Sequence, residues 1–264
     1  MDLQLKSKTA FISGSTQGIG YAIAKLLLSE GAIVVINGRT QQKLDDAVDR
    51  LKSEVPGAKV SGVIGDFADP NQVNRLISEL PDIDILINNV GIFELGDFQT
   101  TSDEVWTKFF EVNVMSGVRM SRALFPAMSA KNWGRIVFIS SEAGINVPEN
   151  MIHYGMTKTA MLAVSNGLSG LTRNTGVTVN TILGGPTYSD GVADTVKQIS
   201  TAQNVSVEQM KEGLMKTLNP SSLLQRFIEP SEIASMVAYL CSNASAATNG
   251  SAIRVDGGVL STLM

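Results

Sequence analysis

Seven short apolar runs, most of them rich in β-branched residues, recur along the chain and constrain its fold more than any other feature. They are TAFIS (9–13), AIVVI (32–36), KVSGVI (59–64), DILI (84–87), RIVFI (135–139), VTVNTIL (177–183) and SAIRV (251–255). Near-continuous apolar runs of this length suit strands buried on both faces. Between most of them lie helical patterns, among them IGYAIAKLLLSEG, TQQKLDDAVDRLKSEV and PNQVNRLISEL. The second opens on a Thr cap and the third on Asp69-Pro70, both helix-start signals. Strand followed by helix, repeated about six times, predicts an α/β fold in which helices cover a parallel sheet. No linker or shift in composition breaks the pattern, so residues 1–264 are expected to form one domain. The single longer excursion runs from about 187 to 226.

The balance of residues narrows the function. With 44% hydrophobic and 17% charged residues there is ample material for a core. A net charge of −4 argues against nucleic acid or an anionic membrane as the main partner. One cysteine, Cys241, permits neither an internal disulfide nor a cysteine-cluster metal site, and it is expected to be a small buried hydrophobe. No metal is expected. The start, MDLQLKSKTAFISG, shows no signal-peptide run, and no apolar run approaches the ~20 residues that span a bilayer. The expectation is a soluble, cytoplasmic protein.

Directly after the first strand comes SGSTQGIG (13–20), with glycines at 14, 18 and 20. Backbone N–H groups can approach a phosphate only where side chains are absent, and the start of a helix adds partial positive charge. The position at a strand-to-helix turn predicts a nucleotide-binding loop. The second strand ends INGRT, so Gly38 and Arg39 stand where an NAD-binding fold has an acid for the ribose hydroxyls. Arg39 can pair with a 2′-phosphate that an acid would repel, which favours NADP over NAD.

Of the four tyrosines, two have a lysine four residues on: Tyr21 with Lys25, and Tyr154 with Lys158. Such pairs share a helix face and are often mere surface decoration. Their surroundings separate them. Tyr154 follows a strand that ends in Ser140 and Ser141, whereas Tyr21 sits behind the glycine loop with no strand-end serine at the right spacing.

SGSTQGIG, NNVG (88–91), Asn113, Ser141, Tyr154-x-x-x-Lys158, RFIEPSEIA (226–234) and IRVDGG (253–258) together resemble the short-chain dehydrogenase/reductase family over essentially the whole chain. The resemblance implies a doubly wound Rossmann fold with a seven-stranded parallel sheet in the order 3-2-1-4-5-6-7, and a nicotinamide cofactor. It assigns Gly14, Thr16, Gln17, Gly18, Ile19 and Gly20 to the pyrophosphate and Asp66 to the adenine. It places Asn89 and Gly91 at the adenosine ribose and the backbone N–H of Thr187 at the carboxamide. Asn113, in the helical stretch EVWTKFFEVNVMSGV, would hold a water that relays protons to Lys158. Departures are Ser13 for threonine, Val90 for alanine, Gln17 for a basic residue and Gly184 for proline; the last is expected to loosen the turn beneath the nicotinamide.

The residue types suit hydride transfer. A phenol with a free pKa near 10 needs lowering by about three, or ~4 kcal/mol, to act near neutral pH. The resemblance makes Tyr154 the general acid/base, Lys158 the group that lowers its pKa and binds the nicotinamide ribose, and Ser141 the group that holds the substrate oxygen. Ser140 points the other way by strand alternation. His153, the only histidine, lies on another helix face and is expected at a surface or an interface.

Residues 187–226 are expected to form a substrate lid, with Val192, Val196, Ile199, Met210, Leu214, Met215 and Leu218 at helical spacing. AGINVPENM (143–151) would form the facing wall. Neither wall clusters cations, which predicts a largely uncharged, apolar ketone or secondary alcohol as the small-molecule substrate. Ala160, Ala163, Gly167 and Gly170 mark a helix that the resemblance pairs with its counterpart in a homodimer or homotetramer. One alternative stays open, a non-catalytic NADP-binding sensor or scaffold; an epimerase or dehydratase of the wider superfamily would be expected to carry a large C-terminal substrate region for which these residues leave no room.

Overall fold

The computed structural model describes residues 2–263. Strands β1 (Thr9–Ile12), β2 (Ile33–Gly38) and β3 (Lys59–Ile64) alternate with helices α1 (Gly18–Ser29), α2 (Gln41–Glu54) and α3 (Pro70–Glu79). Then follow β4 (Ile85–Asn88), α4 (Asp103–Phe110), α5 (Ser116–Ala130), β5 (Gly134–Ser141), α6 (Ile152–Gly170) and β6 (Val177–Gly184). Helices α7 (Asp190–Gln203), α8 (Val207–Leu218) and α9 (Pro230–Cys241) precede β7 (Ala252–Val255). All seven strands pair in parallel in the order β3-β2-β1-β4-β5-β6-β7. The fold expected from sequence is therefore the fold observed, with strand ends displaced by no more than two residues.

Strand alternation divides the core into two layers. Ala10, Ile12, Val34 and Ile36 pack against α1, α2 and α9, where Ile23, Leu27, Leu51, Val237 and the fully buried Cys241 complete the layer. Phe11, Val35, Leu86, Ile136 and Phe138 point the other way, onto Leu76 of α3, Met120 and Met128 of α5 and Met161 of α6. Burial on both faces explains why the central strands read as unbroken apolar runs. At the sheet edge, β3, which carries Lys59 and Ser61, is exposed along most of its length.

Two helix starts differ in how they are held. Asp69 caps α3 by accepting the Asn71 N–H at 2.9 Å, with Pro70 in the first turn, as its sequence predicts. Thr40 occupies the cap position of α2, but its side chain makes no capping bond.

The strand order reverses direction between β1 and β4, which opens a crevice beyond their carboxyl ends. Asn37 ties this edge together: its Oδ1 accepts the Gly14 N–H at 3.0 Å and its Nδ2 donates to the carbonyls of Val63 and Gly65.

Candidate active site

The glycine loop spans the crevice mouth. Gly14 and Gly18 have φ of 60° and 61°, the left-handed region that a side chain disfavours. Gly20 is required for space, since a Cβ there would lie 2.6 Å from both Asn89 Nδ2 and the Gly14 carbonyl. Asn89 itself donates to the carbonyls of Ser13 and Gly14 at 3.0 and 2.9 Å, joining the loop to the end of β4. Ser13 anchors the same junction by accepting the N–H groups of Asn89 and Val90. At the head of α1 the Gly18 N–H donates to a carboxylate, Asp190 Oδ2, at 2.5 Å. An anion thus sits on the loop's amide, as its geometry requires.

Beside the loop, a cavity of about 400 Å³ is lined by Thr16, Gln17, Lys43, Arg50 and Asp190 among others. A Cβ at Gly38 would meet Thr16 Cγ2 at 2.7 Å, so neither the acid of an NAD site nor any other side chain fits there without displacement. Arg39 follows, exposed, at the end of β2. The Arg50 guanidinium lies over the Tyr21 ring, 3.6 Å from its centroid, and donates to the Thr16 carbonyl. Lys25 pairs instead with Glu54 at 2.9 Å, so the first tyrosine–lysine pair serves the packing of α1 on α2. Ile19 lies within the first turn of α1. Asp66, in the loop after β3, accepts the Ala68 N–H at 2.9 Å.

The second pair lies deeper. Lys158 is buried, and its Nζ donates to the Ile139 carbonyl at 3.0 Å while standing 5.5 Å from the centre of the Tyr154 ring. Gly91 allows this approach, for a Cβ there would come within 3.3 Å of Nζ and 3.7 Å of Asn113 Oδ1. Asn113 is not in a regular helix. Residues Glu111–Met115 form a π-helical turn, which turns its side chain so that Oδ1 accepts the Ile92 N–H at 2.8 Å. Its Nδ2 donates to the Ile92 carbonyl and to Thr157 Oγ1, both at 3.0 Å.

Ser140 and Ser141 close β5. Ser140 donates to the Lys158 carbonyl at 2.9 Å, as strand alternation predicts for the residue facing α6. Ser141 donates instead to Glu142 Oε2 at 2.6 Å and accepts the Ala143 N–H at 3.1 Å. Glu142 escaped the sequence reading, although an acid directly after an apolar strand's terminal serines is its visible signal.

Electrostatics at this site depart from expectation. Burial pushes the Tyr154 phenol well above its ordinary value, the Glu142 carboxylate adds to the rise, and the Ser141 hydroxyl opposes it. The expected lowering by Lys158 is absent because that ammonium is aimed at a carbonyl and is itself desolvated, which brings it down to about 8. Burial likewise raises Glu142, with the Ser141 hydroxyl opposing.

Other expectations need correction. His153 is buried, 4.4 Å from the Phe109 ring centre and 6.0 Å from Trp106, because the face of α6 that carries it packs against α4. Gly184 pairs with Ser141 on one side and Val255 on the other, so the sheet holds it where a loosened turn was expected. Thr187 forms a parallel bridge with Ile228, in which Tyr188 N donates to the Ile228 carbonyl at 2.8 Å. In the 187–226 excursion Val196, Met210 and Met215 are buried, but Leu218 is exposed. Phe93, Leu95, Ile145 and Val147 are exposed as well, on two loops tied together where Gly96 N donates to the Asn150 carbonyl.

Among the described residues no helix is long and apolar enough to cross a membrane, and no three His, Cys, Asp or Glu side chains gather to hold a metal.

The family model for short chain dehydrogenase matches residues 8–200. The uncharacterized oxidoreductase YvrD of Bacillus subtilis (strain 168) is 44% identical over 266 residues, covering 100% of both chains. The L-sorbose reductase of Gluconobacter frateurii, solved with NADPH and L-sorbose, superposes with a TM-score of 0.93 at 31% identity over 100% of both chains. Actinorhodin polyketide ketoreductase with NADPH gives a TM-score of 0.87 at 27% identity, covering 97% of this chain and 98% of that one.

Proposed function

The chain belongs to the short-chain dehydrogenase family of oxidoreductases, and from that premise we propose that it transfers hydride between NADP(H) and a carbonyl or secondary alcohol, with Tyr154 as general acid/base. The observation that carries this reading is the convergence of Asn113, Ser141, Tyr154 and Lys158 around the end of β5, in the same crevice as the glycine loop.

The loop fits a pyrophosphate: a Cβ at Gly14 or Gly20 would collide with its neighbours, Gly14 and Gly18 hold positive φ, and the Gly18 N–H already holds a carboxylate. Gly14, Thr16, Gln17, Gly18, Ile19 and Gly20 would cradle that group, Asp66 would meet the adenine, and Asn89 and Gly91 the adjoining ribose. Thr187 would bond the carboxamide. NADP is favoured because the end of β2 offers Gly38 and Arg39 rather than an acid. The two NADPH-bound reductases that resemble this chain support the same choice.

When bound, the cofactor supplies or accepts the hydride. Ser141 orients the substrate oxygen and Tyr154 gives it a proton in reduction. Lys158 binds the nicotinamide ribose and replenishes the phenol through the water that Asn113 would hold. Helices α7 and α8 form the lid, and Phe93, Leu95, Ile145 and Val147 supply apolar walls for an uncharged substrate. Two or four copies associate through α5 and α6, where Gly167 and Gly170 have nothing within 4 Å of an added Cβ.

The test is a fluorescence titration with NADPH and NADH side by side, then a screen of neutral ketones with the tighter cofactor. Tighter NADPH and turnover of a neutral ketone are expected. Equal or reversed preference would remove the argument from Arg39, and turnover confined to anionic substrates would remove the apolar pocket.

A further inference from the structure

We infer that Glu142 is a positioning residue that decides whether Ser141 offers the substrate oxygen a hydrogen or a lone pair, so that carbonyl reduction runs through the form with a protonated Glu142 carboxyl. This rests on the assignment of Ser141 to the substrate oxygen.

A serine hydroxyl has one hydrogen and two lone pairs. One lone pair of Ser141 is already taken by the Ala143 N–H at 3.1 Å. An ionised Glu142 can only accept, so it takes the hydroxyl hydrogen along the 2.6 Å contact. What remains is a lone pair facing Tyr154, the other hydrogen-bond partner of this hydroxyl, and the substrate; it repels a carbonyl oxygen and suits an O–H donor. A protonated Glu142 reverses the bond. Its O–H then donates to the second lone pair, and the Ser141 hydrogen turns to the carbonyl. Every donor and acceptor of the hydroxyl is then used, and the group acts as the oxygen-stabilising donor that reduction needs. No atom leaves Glu142 during turnover: the hydride goes to carbon, the Tyr154 proton goes to oxygen, and the serine keeps its own.

The charges that face Glu142 come from two elements. Helix α6 presents Tyr154 and Lys158, and the segment after β7 presents Asp256, itself paired with Arg254 at 3.0 Å. Burial and Asp256 both push the Glu142 carboxyl upward, which brings the protonated form within reach. Protonation also removes the negative charge that raises Tyr154.

Two measurements test this. The first is the pH dependence of kcat for ketone reduction in the wild type, Glu142→Gln and Glu142→Leu. In the wild type kcat should fall as Glu142 ionises. The carboxamide of Glu142→Gln always has a hydrogen to give Ser141, so the part of the alkaline loss due to Glu142 should vanish and leave only the limb set by Tyr154 and Lys158, whereas Glu142→Leu should lower kcat roughly tenfold or more at every pH. An alkaline midpoint in Glu142→Gln that is unchanged from that of the wild type overturns the proposal. The second needs no turnover: the ¹³C shift of the Glu142 carboxyl, assigned by its disappearance in Glu142→Gln, is followed against pH. Its midpoint should lie above the ordinary glutamate value and rise further in Ser141→Ala, which loses the bond to the ionised form. An ordinary midpoint, or one that Ser141→Ala leaves in place, refutes it. If no carbonyl is reduced with either nicotinamide, the assigned reaction fails, while the carboxyl titration still decides the role of Glu142.

Discussion

Lys158 holds its ammonium almost wholly out of water, with the Ile139 carbonyl at 3.0 Å and Met161 Sδ at 3.7 Å as its partners. Burying such a group costs stability. Its folded pKa, about 8 against an ordinary 10.5, means the unfolded chain binds the proton more tightly. Stability contributed by this site therefore rises with pH between about 8 and 10.5. Replacing it with methionine should abolish turnover yet stabilise the cofactor-free protein by about 1–3 kcal/mol at neutral pH. Denaturant unfolding at several pH values checks both the gain and the loss of the pH-dependent rise. A destabilised Lys158→Met would mean that the carbonyl bond outweighs desolvation. This balance is invisible in the sequence, where Tyr154 and Lys158 read as a simple pair on one face. Burial and the acid at 142 come from the sheet end, not from the helix that carries the pair.

At the scale of elements, the boundary signals that the sequence carries are mostly local; Asp69-Pro70 holds, while Thr40 makes no capping bond. Asp69-Pro70 starts α3 with the capping bond its spacing implies. In RFIEPSEIA, Arg226 grips Glu232 with two bonds at 2.8 and 2.9 Å, and Glu232 also accepts the Glu229 N–H at 2.8 Å, fixing the first turn of α9. These bonds hold the Glu232 carboxyl down at about 2 from an ordinary 4.5. Its contribution is complete above 4.5 and is lost as pH falls towards 2. The pair is half exposed, so Glu232→Gln should cost only about 0.5–1 kcal/mol, measured as a thermal shift near pH 7 that vanishes in acid. Contacts between elements were not legible. Nothing in EVNVM distinguishes the π-helical turn of Asn113 from regular helix, and nothing in TYSDG says that Asp190 of α7 reaches the Gly18 N–H. On the proposed reading, that carboxylate would compete with a pyrophosphate for one amide. Asp190→Asn should tighten NADPH binding by roughly 3- to 10-fold in a fluorescence titration, since it removes the negative charge that faces the phosphate. Unchanged or weaker binding would show that the lid contact does not compete.

For the whole molecule, seven central and edge strands in one parallel order place the glycine loop, the serine pair and the tyrosine helix at the same end of the sheet. That arrangement follows from sequence because each run is apolar, each is followed by a helix, and parallel strands demand crossovers. The burial of individual strands is partly readable: Lys59 and Ser61 make KVSGVI less apolar than AIVVI, and β3 lies at the exposed edge. The outer face of α6, with Gly167 and the exposed Leu171, is where a second copy is proposed to pack. Gly167→Arg should leave the fold intact and shift the protein to monomer in sedimentation velocity, whereas an unaltered assembly would move the contact elsewhere. The account as a whole stands on Tyr154, and the most direct measurement is the turnover of Tyr154→Phe alongside its NADPH affinity. A loss of about 10²–10⁴-fold in carbonyl reduction with cofactor binding retained is the expected result. Turnover within a few-fold of the wild type would contradict it, because the proton would then come from another group.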